Sequence, residues 1–366
     1  MKNHVLLAAL FAVLSCGPAA KTDPVTPDPT KPDPTPATPV TPVTPEEPSV
    51  TVPAFAKGVD ISWVTEMEKK NYKFYTASGT EKECTALMKE LGANAVRYRV
   101  WVNPTDGWCN KADVLVKAKR AQDLGLAIMI DFHYSDSWAD PSKQNPPVAW
   151  KNMKVDEMAT ALAAHTKDVL QALKEAKVDV AWVQVGNETN TGMCLPVGAV
   201  SKDDVSGFVK LANAGYDAVK SVYPNALVIT HHSNAHDLTK NKWFYTLIVN
   251  GGAKFDMIGL SLYPSYWDNK LNDYPDWTNY CNAALSNFQQ LHTQYSKPVM
   301  LVEFGMPASK PDKAKAAMQF LLDGVKDFDW FKGIFYWEPE AEHGRNGYDY
   351  GAFSNGKSTG VIDLFK

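Results

Sequence analysis

From Val180 the chain reads Val-Ala-Trp-Val-Gln-Val-Gly-Asn-Glu, a β-forming run that ends, without a break, in Asn187 and Glu188. A strand that is apolar on both faces is one buried on both sides, as in a parallel sheet covered by helices, and such a strand delivers its polar groups at the carboxyl end. A second stretch answers it. Lys297-Pro298-Val299-Met300-Leu301-Val302-Glu303-Phe304-Gly305 is again an apolar run closed by one carboxylate. Six further β-rich runs complete a series of eight: Lys57–Ile61, Ala95–Val102, Ala127–His133, Asp179–Gly186, Ala226–His231, Phe255–Tyr263, Pro298–Phe304 and Gly333–Trp337.

Helical patterns fall between them at Glu81–Leu91, Ala112–Leu124, Asp156–Ala176, Lys202–Val222, Leu238–Val249, Asn282–Tyr295 and Pro311–Val325, with Gly92 and Gly125 as stops. This alternation predicts an α/β fold, and eight strands with intervening helices predict a TIM (β/α)8 barrel. An open doubly wound sheet is the competing arrangement, but no glycine-rich dinucleotide fingerprint follows the first strand, where Gly58 stands alone.

The barrel is expected to occupy 53–366. Ahead of it, Met1 to Cys16 has one Lys and ten apolar residues from Val5 to Leu14. That is half of the roughly 20 needed to span a bilayer, and so reads as an export signal. It ends Leu14-Ser15-Cys16, a bacterial lipobox pattern in which Cys16 becomes the lipidated first residue. An ordinary cleavage after Ala19 or Ala20 is the other reading. Residues 17–52 form a Pro/Thr-rich spacer, with ten prolines between Pro24 and Pro48 that exclude helix and sheet. The expectation is an exported lipoprotein, monomeric, held at the outer membrane or cell surface only by its lipid. A net charge of -4 with no basic stripe excludes nucleic acid as a partner. Cys84, Cys109, Cys194 and Cys281 form no CxxC pair, which removes zinc and thioredoxin-like readings. Cys109 and Cys194, both in loops after strands, are the pair to expect if any disulfide forms.

In a TIM barrel chemistry sits at the carboxyl ends of the strands. Here those ends carry Asp60, Arg97 with Arg99, His133, Asn187 with Glu188, His231 with His232, Ser261 with Tyr263, Glu303, and Trp337 with Glu338. Two strand-end glutamates supply what sugar hydrolysis requires: a general acid for the leaving oxygen and a nucleophile for the anomeric carbon. A lone glutamate at such a place is usually a salt-bridge partner, and Glu338, Glu340 and Glu342 read that way. A buried arginine needs a carboxylate, so Arg97 is expected against one at the barrel mouth. No HExxH or His-x-His spacing occurs, so His133 and His231 read as hydrogen-bonding groups rather than metal ligands. Trp138 and Trp267 sit in polar loops and suggest exposed rings for sugar stacking, whereas the pattern leaves Trp337 open between core and site.

These stretches resemble a known family. Lys57-Gly58-Val59-Asp60, Arg97 to Pro104, Asp131 to Pro141, Val185-Gly186-Asn187-Glu188 and Val302-Glu303-Phe304-Gly305 are similar to glycoside hydrolase family 53, the endo-β-1,4-galactanases. The resemblance implies a retaining endo-hydrolase acting on β-1,4-galactan, the backbone of type I arabinogalactan in pectin, and its galacto-oligosaccharides. It implies Glu188 as acid/base and Glu303 as nucleophile, with Asp60, Arg97, His133, Trp138, Asn187, His231, Tyr263 and Trp337 around the sugar. A mannanase or glucanase of the same clan would share both glutamates. A glycan-binding surface lipoprotein that does not cut is the reading from another class. Several bacterial members carry an acidic, His-containing calcium segment after strand 7. Here strand 7 runs through Met306–Lys310 almost directly into helix, so no cofactor is expected. The long loop Glu338–Ser358 is the remaining place for calcium.

Overall fold

A computed structural model describes residues 51–264, 277–342 and 347–366; Cys16, the spacer up to residue 50 and Trp267 lie outside the described residues. The unit that holds the fold spans Pro48–Lys366. Eight strands, β1 (Ala56–Asp60), β2 (Ala95–Val100), β3 (Ala127–Phe132), β4 (Trp182–Val185), β5 (Leu227–His232), β6 (Met257–Leu262), β7 (Val299–Phe304) and β8 (Phe331–Trp337), pair in parallel and in sequence order. β8 closes on β1, giving a TIM barrel.

Among the described residues eight α-helices surround it: α1 (Val64–Lys69), α2 (Cys84–Glu90), α3 (Lys111–Asp123), α4 (Val155–Glu175), α5 (Ser206–Val222), α6 (Leu238–Asn250), α7 (Trp277–Tyr295) and α8 (Pro311–Val325). Their starts follow capping chemistry. The Glu83 carboxylate accepts the Thr85 and Ala86 N–H groups, Asn110 accepts that of Asp113, and Pro311 opens α8. β2, β3, β6 and β7 are buried along their whole length, as their continuous apolar runs require.

The core has two parts. One lies between strands and helices; the other fills the barrel with Ala56, Ala95, Ala127, Met129, Trp182, Ile229, Met257, Met300, Val302 and Phe335. Phe335 fits because Gly58 opposite has no side chain: a Cβ there would stand 2.3 Å from the Phe335 ring. Above this apolar plug the inward positions turn polar, and that layer is the floor of the site.

Some expectations about the frame need correction, among them the helix expected from Asn282, which begins at Trp277. The strand expected from Asp179 begins at Trp182, because the Asp179 N–H is taken by the Gln122 side chain of α3. The helix expected from Lys202 begins at Ser206, because Ser201 and Asp204 close a turn on each other first. Cys109 and Cys194 do not pair: both are buried free thiols. Cys109 Sγ faces the Ser62 carbonyl and Cys194 Sγ the Tyr134 carbonyl, in loops on either side of β3.

Candidate active site

Val302 and Glu303 are neighbours, so strict strand alternation would send one of them outward. Val302 belongs to the barrel plug, yet Glu303 is only 5% exposed and meets Arg97 inside the barrel. Shifts in register between Leu260 and Ser261 on the β6 side, and between Ile334 and Tyr336 on the β8 side, supply the irregularity that turns it inward. On β4 the device is backbone strain. Glu188 has φ +42, a left-handed conformation uncommon for a glutamate, and Tyr134 and Glu338 leave β3 and β8 with φ +50 and +44.

Arg97 is the hub of the floor. Its Nη1 pairs with Asp60 (2.6 Å), its Nε donates to Gln184 (2.7 Å), and its Nη2 faces Asp131 (2.9 Å), Asn187 Oδ1 (2.8 Å) and Glu303 (2.9 Å). His133 Nδ1 accepts N–H groups from Trp101 and Ala139, which leaves Nε2–H to donate to Asp131 at 3.0 Å. Burial pushes the Asp131 carboxyl up, but Arg97 and then His133 more than offset this and hold it below its ordinary value.

Asn187 is fixed at both ends, its amide N–H donating to Ala139 O at 2.8 Å. His231 Nδ1 accepts the Glu188 N–H at 3.3 Å and the Gln184 amide N–H at 2.9 Å; these two donors outweigh the one oxygen beside it, Asn187 Oδ1 at 3.0 Å, so its Nε2–H donates to Ser261 at 2.6 Å. Burial, followed by the charge of Arg97, pushes His231 well below its ordinary value and keeps it neutral. Gln144 ties the loop after β3 to the end of β4 through the Asn187 and Glu188 carbonyls.

The two glutamates have opposite surroundings. Glu303 pairs with the Arg97 guanidinium and accepts the Tyr263 hydroxyl at 2.7 Å. Burial raises its pKa to about 7, with Arg97 and Tyr263 pulling down. Glu188, partly exposed, is pushed up to about 8 by burial and then by the charge of Glu303. When the pair shares one proton, that proton rests on Glu188.

The sequence-predicted residues Asp60, Arg97, His133, Asn187, Glu188, His231, Tyr263 and Glu303 are thus brought into one hydrogen-bonded assembly. Trp138 is not the free ring expected. It is half-buried edge-on to Trp63 (5.8 Å), Trp101 (5.1 Å) and Trp337 (5.8 Å), so Trp337 belongs to the site's aromatic wall. The strand-end pattern points to Trp63 and Asp131 only as members of polar strand ends, and not at all to Gln184, Gln144 or Tyr348, whose ring lies 4.7 Å from that of Trp337. A glutamine inside an apolar strand was a usable signal for Gln184; Tyr348, in an irregular loop, offered none. His232 turns away from the site, its Nδ1 donating to the Ser233 carbonyl and its ring lying against Phe244. Among the described residues no three His, Cys, Asp or Glu side chains are arranged to hold a metal ion; residues 343–346, in the loop after β8, lie outside them.

Comparison with known proteins gives this arrangement relatives. The probable arabinogalactan endo-β-1,4-galactanase A of Neosartorya fischeri is 31% identical over 307 residues, covering 77% of this chain and 83% of the relative. The arabinogalactan endo-β-1,4-galactanase A of Emericella nidulans is 31% identical over 309 residues, covering 77% and 84%. A solved structure from a study of two fungal β-1,4-galactanases superposes with a TM-score of 0.76 at 28% identity, covering 84% of this chain and 98% of its own. Residues 56–327 match the family model for glycosyl hydrolase family 53, and the chain belongs to that family.

Proposed function

We propose that this protein is a retaining endo-β-1,4-galactanase that cuts the galactan backbone of pectic type I arabinogalactan. The observation that carries the proposal is the unlike setting of two strand-end carboxyls: Glu303 is held by the Arg97 guanidinium and the Tyr263 phenol, while Glu188 is hydrogen-bonded to the neutral Ser261 hydroxyl and lies beside the charge of Glu303. In the first step the Glu303 carboxylate attacks the anomeric carbon while Glu188 gives its proton to the leaving glycosidic oxygen. A covalent galactosyl-enzyme results. Water then attacks the same carbon, Glu188 takes its proton, and Glu303 is released, so that two inversions retain the configuration. Arg97 stabilises the charge on Glu303 before attack and after release. Asn187, its amide oxygen fixed by Arg97, is assigned to the sugar 2-hydroxyl, a contact that would strengthen in the oxocarbenium-like transition state.

The test is digestion of linear β-1,4-galactan, β-mannan and β-glucan by the wild-type protein and Glu303→Gln, with and without a chelator. Internal cuts in galactan alone are expected. The substitution should cost on the order of 10³-fold or more in rate, since it removes the nucleophile. Chelation should leave the rate unchanged, because no step is routed through a metal. Activity on another polymer instead of galactan would move the protein to a neighbouring specificity, and a Glu303→Gln enzyme with substantial turnover would sink the mechanism.

The lipobox and the proline spacer support attachment at the cell surface through Cys16, where the substrate polymer would be met. Labelled fatty acid should enter the wild-type chain and not Cys16→Ala; equal labelling of both would reject the anchor.

A further inference from the structure

Arg99 takes no part in the floor that Arg97 organises. It is 1% exposed, so no substrate touches it. Its Nη1 pairs with the buried Glu338, whose other oxygen accepts the Trp63 N–H at 3.2 Å. Among the described residues its Nε and Nη2 have no hydrogen-bond acceptor. What surrounds the guanidinium is indole: its carbon lies 4.4 Å from the Trp138 ring centre, 5.2 Å from Trp63 and 5.3 Å from Trp101.

Those three rings come from the loops after β1, β2 and β3. The fourth member of the wall, Trp337, stands edge-on to Trp63 and Trp138, and the residue that follows it is Glu338 itself. Four chain segments therefore converge on one desolvated cation, in the setting where attraction between a cation and ring faces is strongest. Trp63 and Trp101 are buried, while Trp138 and Trp337 keep part of their surface open at the barrel mouth. The plane of a guanidinium can be shared among rings while one edge holds a carboxylate; a lysine ammonium, a point charge that demands hydration, cannot do both.

We propose that Arg99, anchored by Glu338, is the positioning residue of the sugar-stacking wall. It fixes the angle at which the Trp138 and Trp337 rings meet the galactan chain, and so governs affinity for the polymer rather than the chemical step. This rests on the galactanase reading.

The experiment uses the full chain carrying Glu303→Gln, which binds without turnover, titrated with β-1,4-galactotetraose and followed by tryptophan fluorescence and calorimetry. Arg99→Lys in that background is expected to weaken binding tenfold or more. In the active enzyme the same substitution is expected to raise KM by a similar factor, with a smaller change in kcat. Arg99→Met with Glu338→Gln removes both buried charges together, and carries the test where the lysine variant does not fold. It is expected to show the same split. A role confined to fold stability would lower the melting temperature and leave KM and the tetraose affinity as they were; that result overturns the proposal. If the Glu303→Gln parent itself ignores the tetraose and the wild type leaves galactan intact, the fault lies with the galactanase reading instead.

Discussion

Gly305 stands two residues after Glu303, and its missing side chain makes room for the tyrosine that donates to Glu303. A Cβ at this position would stand 2.7 Å from Tyr263 Cε1, 3.0 Å from its Cδ1 and 3.1 Å from the Tyr348 hydroxyl. The Tyr263 ring would have to move, and with it the O–H that donates to Glu303. A hydrogen bond to a charged group contributes about 1.5–3 kcal/mol, which sets one to two orders of magnitude in rate as the upper bound for its loss. Gly305→Ala is therefore expected to lower kcat/KM by about tenfold. It is also expected to move the acid limb of the pH profile upward, because a carboxylate that loses a donor is protonated more easily. In a Tyr263→Phe background the same alanine should add little to that shift. A Gly305→Ala enzyme with an unaltered acid limb would show that the close contact does not position Tyr263.

At the scale of elements, the barrel was legible because its signals are long and local. Eight apolar runs with a helix between most of them repeat one unit, and each polar residue at a strand end marks the same face of the sheet. The strand-end carboxylates Glu188 and Glu303 could be read for that reason. What could not be read depends on contacts between distant segments. Helix α1 has six residues, too few to display a periodicity. The cap of α2 is a glutamate acting through its side chain, so the helix starts at Cys84, three residues later than its propensity suggests. The register shifts beside β7 are a joint property of three strands, and no single run of sequence encodes them. Glu338 looked like an ordinary salt-bridge glutamate, and it is one; its partner, Arg99, lies 239 positions away at the centre of the indole wall. Glu340 does not fit that pattern. It is fully buried, and burial together with the charge of Glu338 pushes its pKa well up, so it is held neutral.

For the whole molecule, the raised carboxyls set activity and stability against each other as pH changes. The proposed mechanism requires Glu303 ionised and Glu188 protonated, so kcat/KM is expected to rise through the lower titration of the coupled pair and fall through the higher. With values of about 7 and about 8, a narrow bell with an alkaline limb near pH 8 is expected on galactan. Stability runs the other way over much of this range. An unfolded glutamate loses its proton near pH 4.3, whereas Glu188 and Glu303 in the folded chain keep theirs to higher pH, as do the buried Glu338 and Glu340. Between those limits the folded state binds more protons than the unfolded one, and its stability falls as pH rises. Asp131 has the opposite sign: its lowered pKa contributes stability that is lost only when pH drops through the acid range. The melting temperature should therefore peak at moderately acid pH, below the pH of greatest activity. Glu188→Gln, which keeps the shape of a carboxyl that never ionises, should raise the melting temperature at pH 8 and change it little at pH 5. A melting temperature that climbs steadily from pH 5 to 8 in the wild type, or is unmoved by Glu188→Gln at pH 8, would mean that these carboxyls ionise in the folded state as easily as in the unfolded chain. The division of roles between Glu188 and Glu303 would then need another source than their burial.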